Sequence, residues 1–343
     1  MRFDYLVFIG TFEPFHNGHQ AVIARALALA RKVIVLVGSA DEPRTTRHPW
    51  SAVERAAMIQ AACGQQASRL LIRPLRDHLY NDALWVEDLQ RIVSQTIQCD
   101  GEGGHVGIIG QEEDAASGYL RMFPQWACVN SPKVEGVCAT DLREHLFGGA
   151  LGDVGRDSSI EAAVPEAVLH MLHAFRDGPQ FSQLLRERHY FKEYRKAWAS
   201  APYPPNFVTV DAVVIHSGHV LLVRRKHEPG KGLWAFPGGF VDVAETIDEA
   251  VIRELREETG ISLLTEALRL ATRHKQVFDH PERSQRGRTI THAYHFDFPC
   301  GNLPPVKGAD DAEQARWVPL SEALQMQAQF FDDHFHILEH FIG

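Results

Sequence analysis

The sequence predicts an α/β protein of two domains, of which the first contains a doubly wound parallel sheet. With 343 residues, the chain is long enough for two domains that each have their own core. Short apolar runs alternate with helical segments through the first half, which is typical of a parallel sheet covered by helices on both faces. The proline-rich stretch P-Y-P-P at 202–205 then ends a helix and begins a stiff spacer. We therefore expect a first domain over 1–185, a helix and linker over 186–206, and a second domain over 207–343.

The elements of the first half follow from the periodicity of its apolar residues. Four short runs predict buried strands, at Tyr5–Gly10, Lys32–Gly38, Leu70–Pro74 and His105–Gly110. Three helices are predicted between them, over Asn17–Arg31, Ser51–Cys63 and Leu84–Ile97. Because ligands of such sheets bind beyond the carboxyl ends of the strands, the loop after Gly10 is a candidate site.

The sequence pattern of the second half predicts both strands and helices. Phe207–His216 and His219–Arg224 form a pair of strands that turns at Ser217 and Gly218. The remaining predicted elements are a helix over Thr246–Thr259, strands at Ile290–Phe298 and Ala315–Val318, and a short C-terminal helix.

Composition and charge narrow the class of protein. The net charge of −9 argues against a general surface for nucleic acid or anionic membranes. No apolar run approaches the roughly 18 residues that a membrane-spanning helix needs. The five cysteines form no C-x-x-C pair, as expected of reduced thiols. We therefore expect a cytoplasmic protein that binds neither nucleic acid nor membrane, and the sequence leaves a homo-oligomer open.

Residues 10–19 read G-T-F-E-P-F-H-N-G-H and place two histidines at the start of the first predicted helix. The backbone N–H groups of a helix N-terminus bind anions, and His16 and His19 add donors directed at the same anion. Gly10 and Gly18 let the backbone approach a phosphate where a side chain would clash. The alternatives are metal ligands, for which this segment lacks a third residue, and ordinary turn residues. We expect a phosphate site.

Residues 239–261 read G-F-V-D-V-A-E-T-I-D-E-A-V-I-R-E-L-R-E-E-T-G-I and predict a second site. On a helix, Glu254 lies three residues from Glu257 and four from Glu258, so the three carboxylates share one face. Like charges on one face repel unless a cation lies among them, and hard oxygen ligands favour Mg2+ or Mn2+. Arg253 is expected to pair with Glu245 in the preceding loop. The alternative is a solvated helix rich in Glu and Arg.

This segment resembles the Nudix box, G-x5-E-x7-R-E-U-x-E-E-x-G-U with U a bulky aliphatic residue, at every fixed position. Those positions include Gly239, Glu245, Arg253 and Gly260. The resemblance implies an α/β/α Nudix domain with a mixed sheet, and a magnesium site for cleaving nucleoside diphosphates, with Mn2+ as an alternative. Glu254, Glu257 and Glu258 would bind the metal. Glu257 is also the first candidate for the general base, although other Nudix enzymes take the base from a later loop.

Residues 10–19 also resemble the G-x-F-x-P-x-H-x-G-H signature of nucleotidylyltransferases. Further segments resemble nicotinamide mononucleotide adenylyltransferases, namely G-S-A-D-E-P-R-T-T-R-H-P-W-S-A-V-E-R (38–55), R-D-H-L-Y-N-D-A-L-W (76–85), Y-L-R-M-F-P-Q-W (119–126) and C-A-T-D-L-R (138–143). With the Nudix box, the whole chain resembles bacterial bifunctional adenylyltransferase–Nudix proteins. This implies a Rossmann-like nucleotidylyltransferase domain that makes NAD and pyrophosphate from ATP and nicotinamide mononucleotide. It also implies a Nudix domain that hydrolyses ADP-ribose to AMP and ribose 5-phosphate with Mg2+.

The resemblance implies residue roles in the first domain. His16 and His19 would hold the phosphates at the transition state, and Arg143 would neutralise charge on the β- and γ-phosphates of ATP. Further candidates for nucleotide binding are Gly10, Thr11, Phe12, Gly18, Arg44, Asn81, Trp85, Gly110 and Thr140. Asn81 and Trp85 are candidates for the nicotinamide end, and Trp85 is alternatively part of the apolar face of its helix.

Three positions depart from the family pattern. Cys138 stands where a serine is common. Gln111 and Glu113 stand where His and Lys are expected, which removes positive charge near the nucleotide and puts the affinity for ATP in doubt.

Two pairs of charged residues in 38–55 have open or structural roles. Arg44 and Arg47 flank a loop near the phosphates, with a direct role and a solvated position equally weighted. Glu54 and Arg55 are expected to cap and brace a helix.

Specificity in the second domain is weakly encoded. Arg286 and Arg288 are candidates for holding the terminal ribose or phosphate, with a solvated hairpin as the alternative. Phe278 and Trp317 either stack on adenine or fill the core, and the core is favoured for Trp317. The three C-terminal histidines share no ligand face and are expected to be structural, at His334, His336 and His340.

Two other functions fit parts of this pattern. A nucleotidylyltransferase with a different acceptor, such as phosphopantetheine or flavin mononucleotide, could be fused to a Nudix hydrolase of other nucleoside diphosphates, but Trp85 argues against it. A Nudix-type sensor of NAD metabolites would usually lack catalytic glutamates and carry a winged helix for DNA. The intact box and the negative net charge argue against a sensor.

Overall fold

The computed structural model describes residues 2–101, 103–110, 122–131, 137–148 and 158–343. The chain divides into two compact units, residues 1–185 and 186–343. Within the described ranges, no helix combines the length and the apolar character that crossing a membrane requires.

The first unit contains a five-stranded parallel sheet in the order β3-β2-β1-β4-β5. Its strands are β1 (Phe3–Gly10), β2 (Ala30–Val37), β3 (Leu70–Pro74), β4 (Val106–Gly110) and β5 (Ala127–Asn130). The order reverses between β1 and β4, so their carboxyl ends flank the crevice where doubly wound sheets bind ligands. The predicted doubly wound fold of the first domain is confirmed.

Helices cover both faces of this sheet. They are α1 (Asn17–Leu29), α2 (Ala52–Cys63), α3 (Asp82–Asp100), α4 (Ala139–Gly148), α5 (Ser158–Ala163), α6 (Glu166–Arg176) and the start of α7 (Pro179–Ala197). Along β1, Leu6 and Phe8 belong to one buried cluster while Tyr5 and Val7 belong to another, which shows that both faces are covered. Helix α1 ends two residues earlier than predicted, because Ala30 is already extended and pairs with β1.

The second unit contains a mixed sheet in the order β10-β11-β6-β7-β12, with β8 paired to β7 and β9 to β6. Its strands are β6 (Asn206–His216), β7 (His219–Arg225), β8 (Trp234–Ala235), β9 (Gly238–Phe240), β10 (Thr272–Phe278), β11 (Arg288–Phe298) and β12 (Ala312–Pro319). β11 runs parallel to β6, and the other named pairs that have been described are antiparallel. Its helices are α8 (Ile247–Thr259), α9 (Thr265–Ala271), α10 (Leu320–Ala323) and α11 (His334–Ile342). The predicted mixed-sheet fold is confirmed.

Two local features of the second unit, the turn after β6 and strand β10, can be compared with the elements predicted from the sequence. The turn between β6 and β7 has positive φ at Ser217 (48°) and Gly218 (74°), as a two-residue hairpin requires. Strand β10 was not predicted, because its first six residues, T-R-H-K-Q-V, are half-buried or exposed and mostly polar. An edge strand of this kind carries no apolar run for a sequence pattern to detect.

Candidate functional sites

The two histidines of the first unit cap helix α1 with their own rings. The Nδ1 atom of His16 accepts hydrogen bonds from the backbone N–H of Gly18 (3.1 Å) and of His19 (3.4 Å). The Nδ1 atom of His19 accepts in return from the backbone N–H of His16 (3.3 Å), and the rings stack 3.6 Å apart. This geometry does not support the prediction that these backbone amides bind the anion, because imidazole nitrogens already accept from them.

This arrangement fixes the tautomer of both rings. Since each Nδ1 accepts a hydrogen bond, each ring carries its proton on Nε2 and offers that N–H as a donor. Burial lowers the pKa of His16 to about 4. Burial, and then the neighbouring His16, lower the pKa of His19 well below its ordinary value. Both histidines are therefore neutral donors at pH 7.

Gly10 and Phe12 are explained by packing at the end of β1. A Cβ on Gly10 would lie 3.0 Å from the Phe12 ring, so the glycine is needed for this ring. That reason differs from the predicted approach of a phosphate. Phe12 has φ of 55° and is fully buried, and its ring meets His19 edge-on at 4.9 Å. The loop thus supports the histidines through an aromatic contact.

Arg55 connects the same loop to the end of β2. Arg55 was predicted to brace a helix, and its contacts reach further than that. Its side chain is 1% exposed. Nη1 donates to Thr11 O (2.6 Å) and Gly38 O (2.7 Å), and Nη2 donates to Ser39 O (2.8 Å). Its Nε lies 3.2 Å from Oε1 of the buried Glu13. One guanidinium therefore joins the carboxyl ends of two neighbouring strands.

Arg143 approaches the loop from the other side. Its Nη1 donates to Glu13 O (2.6 Å) and its Nη2 to Thr140 Oγ1 (3.2 Å). The predicted phosphate ligands Arg143 and Thr140 are therefore in contact with each other, and Arg143 is in contact with the loop that carries His16. This places them beside the candidate phosphate site.

The remaining candidates of the first unit, Arg44, Asn81 and Trp85, all make contacts within the protein. Arg44 donates to Pro49 O (2.6 Å) and pairs with Glu54 (2.8 Å), which favours bracing of its loop over a direct role. Asn81 Oδ1 caps helix α3 by accepting from Leu84 N–H (3.0 Å). Trp85 is half-buried against the core, with its ring 6.2 Å from that of Phe123.

The end of β4 completes the crevice. Gly110 is its last residue, and the Gly110 carbonyl accepts from Ser131 N–H (2.9 Å). Gln111 and Glu113, on which the predicted departure in ATP affinity depends, lie outside the described residues.

In the second unit, Arg253 organises the glutamates of helix α8. It forms the predicted pair with Glu245 in bidentate geometry, at 2.9 Å from Nε and 2.6 Å from Nη2. Its Nη1 also donates to Glu254 and to Glu257, each at 2.9 Å. A Cβ on Gly239 would lie 2.5 Å from Glu254 Oε1, so only glycine lets this carboxylate approach the backbone.

The third glutamate faces the same strand. Glu258 is 7% exposed and accepts from Gly238 N–H (3.0 Å). Burial raises the pKa of Glu258 to about 8, with the neighbouring Glu254 adding to the rise. Burial, followed by Glu257 and Asp310, also raises the pKa of Glu254 against the effect of Arg253. Crowded, buried carboxylates of this kind are stabilised by a cation.

The donor set fits Mg2+ or Mn2+, which prefer carboxylate oxygens. In the described part of the chain, no three His, Cys, Asp or Glu side chains are already gathered as a metal site. The hydrogen bonds explain this, because Glu254 and Glu257 turn to Arg253 while Glu258 turns to Gly238. Glu257 is the most exposed of the three, at 46%, and therefore has the most freedom to turn towards a cation.

These glutamates line one side of a cavity of about 260 Å³. The walls also include Arg286, 5.1 Å from the centre of the Phe240 ring, and Arg225, 4.1 Å from that of Phe331. The cavity thus combines carboxylates that suit a metal with arginines that suit a diphosphate.

Arg288 does not line this cavity. It pairs with Asp279 and donates to the Asp279 carbonyl, because its position at the start of β11 directs it to the neighbouring loop. The prediction that Arg288 contacts substrate is therefore not supported by its position. Phe278 and Trp317 both pack in the core, Phe278 against His340 and Phe341.

A polar network at the back of the cavity was missed. Arg283 forms a bidentate pair with Asp333, at 2.8 and 2.7 Å, and lies 4.0 Å from Asp211. His334 accepts from Phe236 N–H (3.0 Å), a contact that fits the structural role predicted for it, and it also lines the cavity. The charged D-D-H triplet inside the apolar segment F-F-D-D-H-F-H-I was the sequence signal.

Comparison with known proteins matches each unit to a family. Residues 7–144 match the cytidylyltransferase-like model and residues 205–341 match the NUDIX domain model. A nicotinamide/nicotinic acid mononucleotide adenylyltransferase of Acinetobacter baylyi is 37% identical over 185 residues, 53% of this chain and 92% of the relative. An ADP-ribose pyrophosphatase of Methanocaldococcus jannaschii is 34% identical over 144 residues, 42% of this chain and 76% of the relative.

The resemblance to a solved structure also extends over the whole chain. That structure is of a bifunctional NMN adenylyltransferase/ADP ribose pyrophosphatase of Francisella tularensis, solved with AMP and a manganese ion. Its TM-score is 0.89 at 36% identity, over 99% of this chain and 98% of that chain.

Proposed function

This chain belongs to the family of bifunctional NMN adenylyltransferase/ADP-ribose pyrophosphatases, and we propose that each of its two sites carries one of these activities. The first unit makes NAD from ATP and nicotinamide mononucleotide. The second unit hydrolyses ADP-ribose to AMP and ribose 5-phosphate. The observation that carries the proposal is the presence of both sites in one chain, the two histidines that cap α1 and the glutamates of α8 beside Arg253.

In adenylyl transfer, a phosphate oxygen of nicotinamide mononucleotide attacks the α-phosphorus of ATP. One P–O bond forms, the bond to the β-phosphate breaks, and pyrophosphate leaves with the bond's electron pair. The Nε2–H groups of His16 and His19 donate to the phosphate oxygens, and their neutral state lets them do so without titrating near pH 7. Arg143 supplies positive charge from α4. Positioning and charge stabilisation of this kind account for most of the barrier reduction in phosphoryl-type transfer.

In hydrolysis, the residues of α8 prepare the site for the diphosphate. Glu254, Glu257 and Glu258 would hold Mg2+, or Mn2+ in its place, which when bound neutralises the diphosphate and lowers the pKa of a water. Arg253 holds Glu254 and Glu257 on one side of the cavity, and Glu245 fixes Arg253. The Gly238 N–H holds Glu258. Arg225 and Arg286 face the substrate from the walls. Glu257 is the most exposed of the three carboxylates and is our candidate for the base.

Other attributes stay predictions from the sequence. They are the domain limits at 185 and 207, the cytoplasmic location, and the lack of binding to nucleic acid and membranes. The sequence leaves the oligomeric state open.

A chromatographic time course tests both activities in one vessel. The purified chain is incubated with Mg2+, ATP and nicotinamide mononucleotide, and ADP-ribose is added. We expect NAD to accumulate and persist while ADP-ribose is converted to AMP. Absence of NAD would point to another acceptor, and NAD that forms and is then split would mean that the Nudix site also cleaves the dinucleotide.

A further inference from the structure

A buried carboxylate on helix α7 lies behind the hydrolase cavity. Glu187 is 7% exposed, although glutamate is rarely buried without a partner. It lies outside both segments that the family models match, 7–144 and 205–341. None of the roles described above uses it. Burial of a carboxylate costs free energy unless a partner compensates, so a compensating contact is expected for Glu187.

The partner is a backbone amide in the loop 226–233, which joins β7 to β8. Gly230 N–H donates to Glu187 Oε1 at 3.1 Å, and both residues are buried. Gly230 has φ of 70°, and a Cβ there would lie 2.2 Å from the Phe331 ring. The backbone of Gly230 therefore lies directly against this ring, with Glu187 holding its N–H.

The same loop fixes Arg225. Arg225 Nε donates to Pro229 O (2.8 Å), and Gly232 N–H donates to Arg225 O (2.8 Å). The guanidinium of Arg225 lies over the Phe331 ring at 4.1 Å from its centre. Arg225 and Phe331 both line the cavity. The position of the loop therefore determines the position of two cavity walls.

We propose that Glu187 is a positioning residue of the hydrolase site, whose hydrogen bond to Gly230 keeps Arg225 and Phe331 in place for the substrate. This inference rests on the proposed hydrolysis of ADP-ribose in that cavity. A guanidinium backed by an aromatic ring is preorganised for phosphate or ribose oxygens. Release of the loop therefore weakens substrate binding more than it affects the glutamates of α8.

The protonation of Glu187 suggests the conservative variant. Burial raises the pKa of Glu187 to about 7, against the effect of the Gly230 N–H; Glu228 and Asp332 raise it further, and Arg225 lowers it. A neutral carboxyl still has an oxygen that accepts a hydrogen bond, and so does a glutamine amide. Glu187→Gln thus keeps the bond, whereas Glu187→Met removes the acceptor at similar size.

Steady-state kinetics of ADP-ribose hydrolysis by the full chain test the proposal. We expect Glu187→Met to raise KM roughly tenfold, equivalent to about 1.4 kcal/mol, with kcat changed less than about twofold. Glu187→Gln should restore KM. Glu193→Met is the matched control, because Glu193 is on the same helix but 51% exposed. NAD synthesis should be equal in all variants.

Several outcomes would overturn the role. An unchanged KM in Glu187→Met, or a Glu187→Gln variant as impaired as Glu187→Met, contradicts it. If Glu187→Met does not fold, Gly230→Ala displaces the loop independently through its clash with Phe331, and an unchanged KM there contradicts the role as well. A wild-type chain that does not hydrolyse ADP-ribose would instead overturn the proposed function, and this inference with it.

Discussion

Arg55 shows how one side chain determines the geometry of the loop between β1 and α1. It donates to three backbone carbonyls, at Thr11, Gly38 and Ser39, and so connects the ends of β1 and β2. The planar fork of guanidinium donors makes this possible, and an ammonium group has no equivalent geometry. The loop that Thr11 begins leads to His16 and then to His19 in the first turn of α1, so the positions of both histidines depend on Arg55.

We therefore expect Arg55→Lys to reduce kcat/KM for NAD synthesis by roughly 10- to 100-fold, because displacement of reacting groups by about 1 Å can cost that much. Hydrolysis of ADP-ribose should be unaffected. The measurement is initial-rate kinetics of both reactions on one preparation. Arg91→Lys is the control, since Arg91 is 51% exposed in the same unit. Full NAD synthesis in Arg55→Lys would show that the carbonyl contacts are dispensable.

At the scale of elements, the start of helix α1 couples stability to pH. Burial lowers the pKa of His16 to about 4, against about 6.5 in an unfolded chain. Above pH 6.5 the ring is neutral in both states, and its contribution is complete. As the pH falls from 6.5 towards 4, the unfolded chain binds a proton at His16 that the folded chain does not bind. The free energy of unfolding therefore decreases.

The expected loss from His16 is on the order of 3 kcal/mol between pH 7 and pH 4. His16→Asn should reduce this pH dependence, because asparagine is a good helix cap and does not titrate in this range. Urea unfolding of both proteins at pH 7, 5.5 and 4.5 measures the difference. His19 still titrates in the variant, so a smaller slope is expected and not a flat line. Equal slopes in the two proteins would contradict the assignment.

Helix α8 is bounded by two strong end signals. Thr246 and Glu249 form a capping box, and Gly260 ends the helix with φ of 61°. The proposed metal ligands lie in the last two turns, so the end at Gly260 determines where Glu257 and Glu258 are presented. The left-handed conformation costs about 1–2 kcal/mol for residues other than glycine.

Gly260→Ala should therefore lower the free energy of unfolding of the second unit by about 1 kcal/mol, with NAD synthesis unchanged. Denaturant unfolding followed by tryptophan fluorescence and by loss of ADP-ribose hydrolysis is the measurement. Gly218→Ala, at another positive φ in open space, is a control for the backbone cost alone. If the two variants lose equal stability and keep equal activity, the end of α8 has no special role in the site.

At the scale of the whole molecule, features that depend on the local sequence pattern could be predicted. Hydrogen bonds between residues that are far apart in the sequence could not. The strand–helix alternation and the spacing of Glu254, Glu257 and Glu258 are local, and they gave the fold of both units and the glutamate face. The bonds from Arg55 to Gly38 and from Glu187 to Gly230 join residues 17 and 43 positions apart. The capping of α1 by the ring nitrogens of His16 and His19 could not be predicted either, since the sequence does not specify side-chain orientation.

The two sites use different residues in different units, so their activities should be separable. His16→Ala removes one phosphate donor and should lower NAD synthesis by roughly 10²–10³-fold, with hydrolysis unchanged. Glu257→Gln should do the reverse, because it removes a carboxylate from the metal set. The double variant should lose both activities, each by the same factor as in the corresponding single variant, as expected for sites that share no contacts.

Initial rates of both reactions on the wild type, the two single variants and the double variant measure this separability. Glu313→Gln, 56% exposed on β12, is the control for charge removal in the second unit. A loss of NAD synthesis in Glu257→Gln would mean that the α8 carboxylates also serve the transferase, and the assignment of one activity to each site would be wrong. Independent losses would instead show that each activity depends on the site of its own unit, because the residues that build and brace each site belong to that unit.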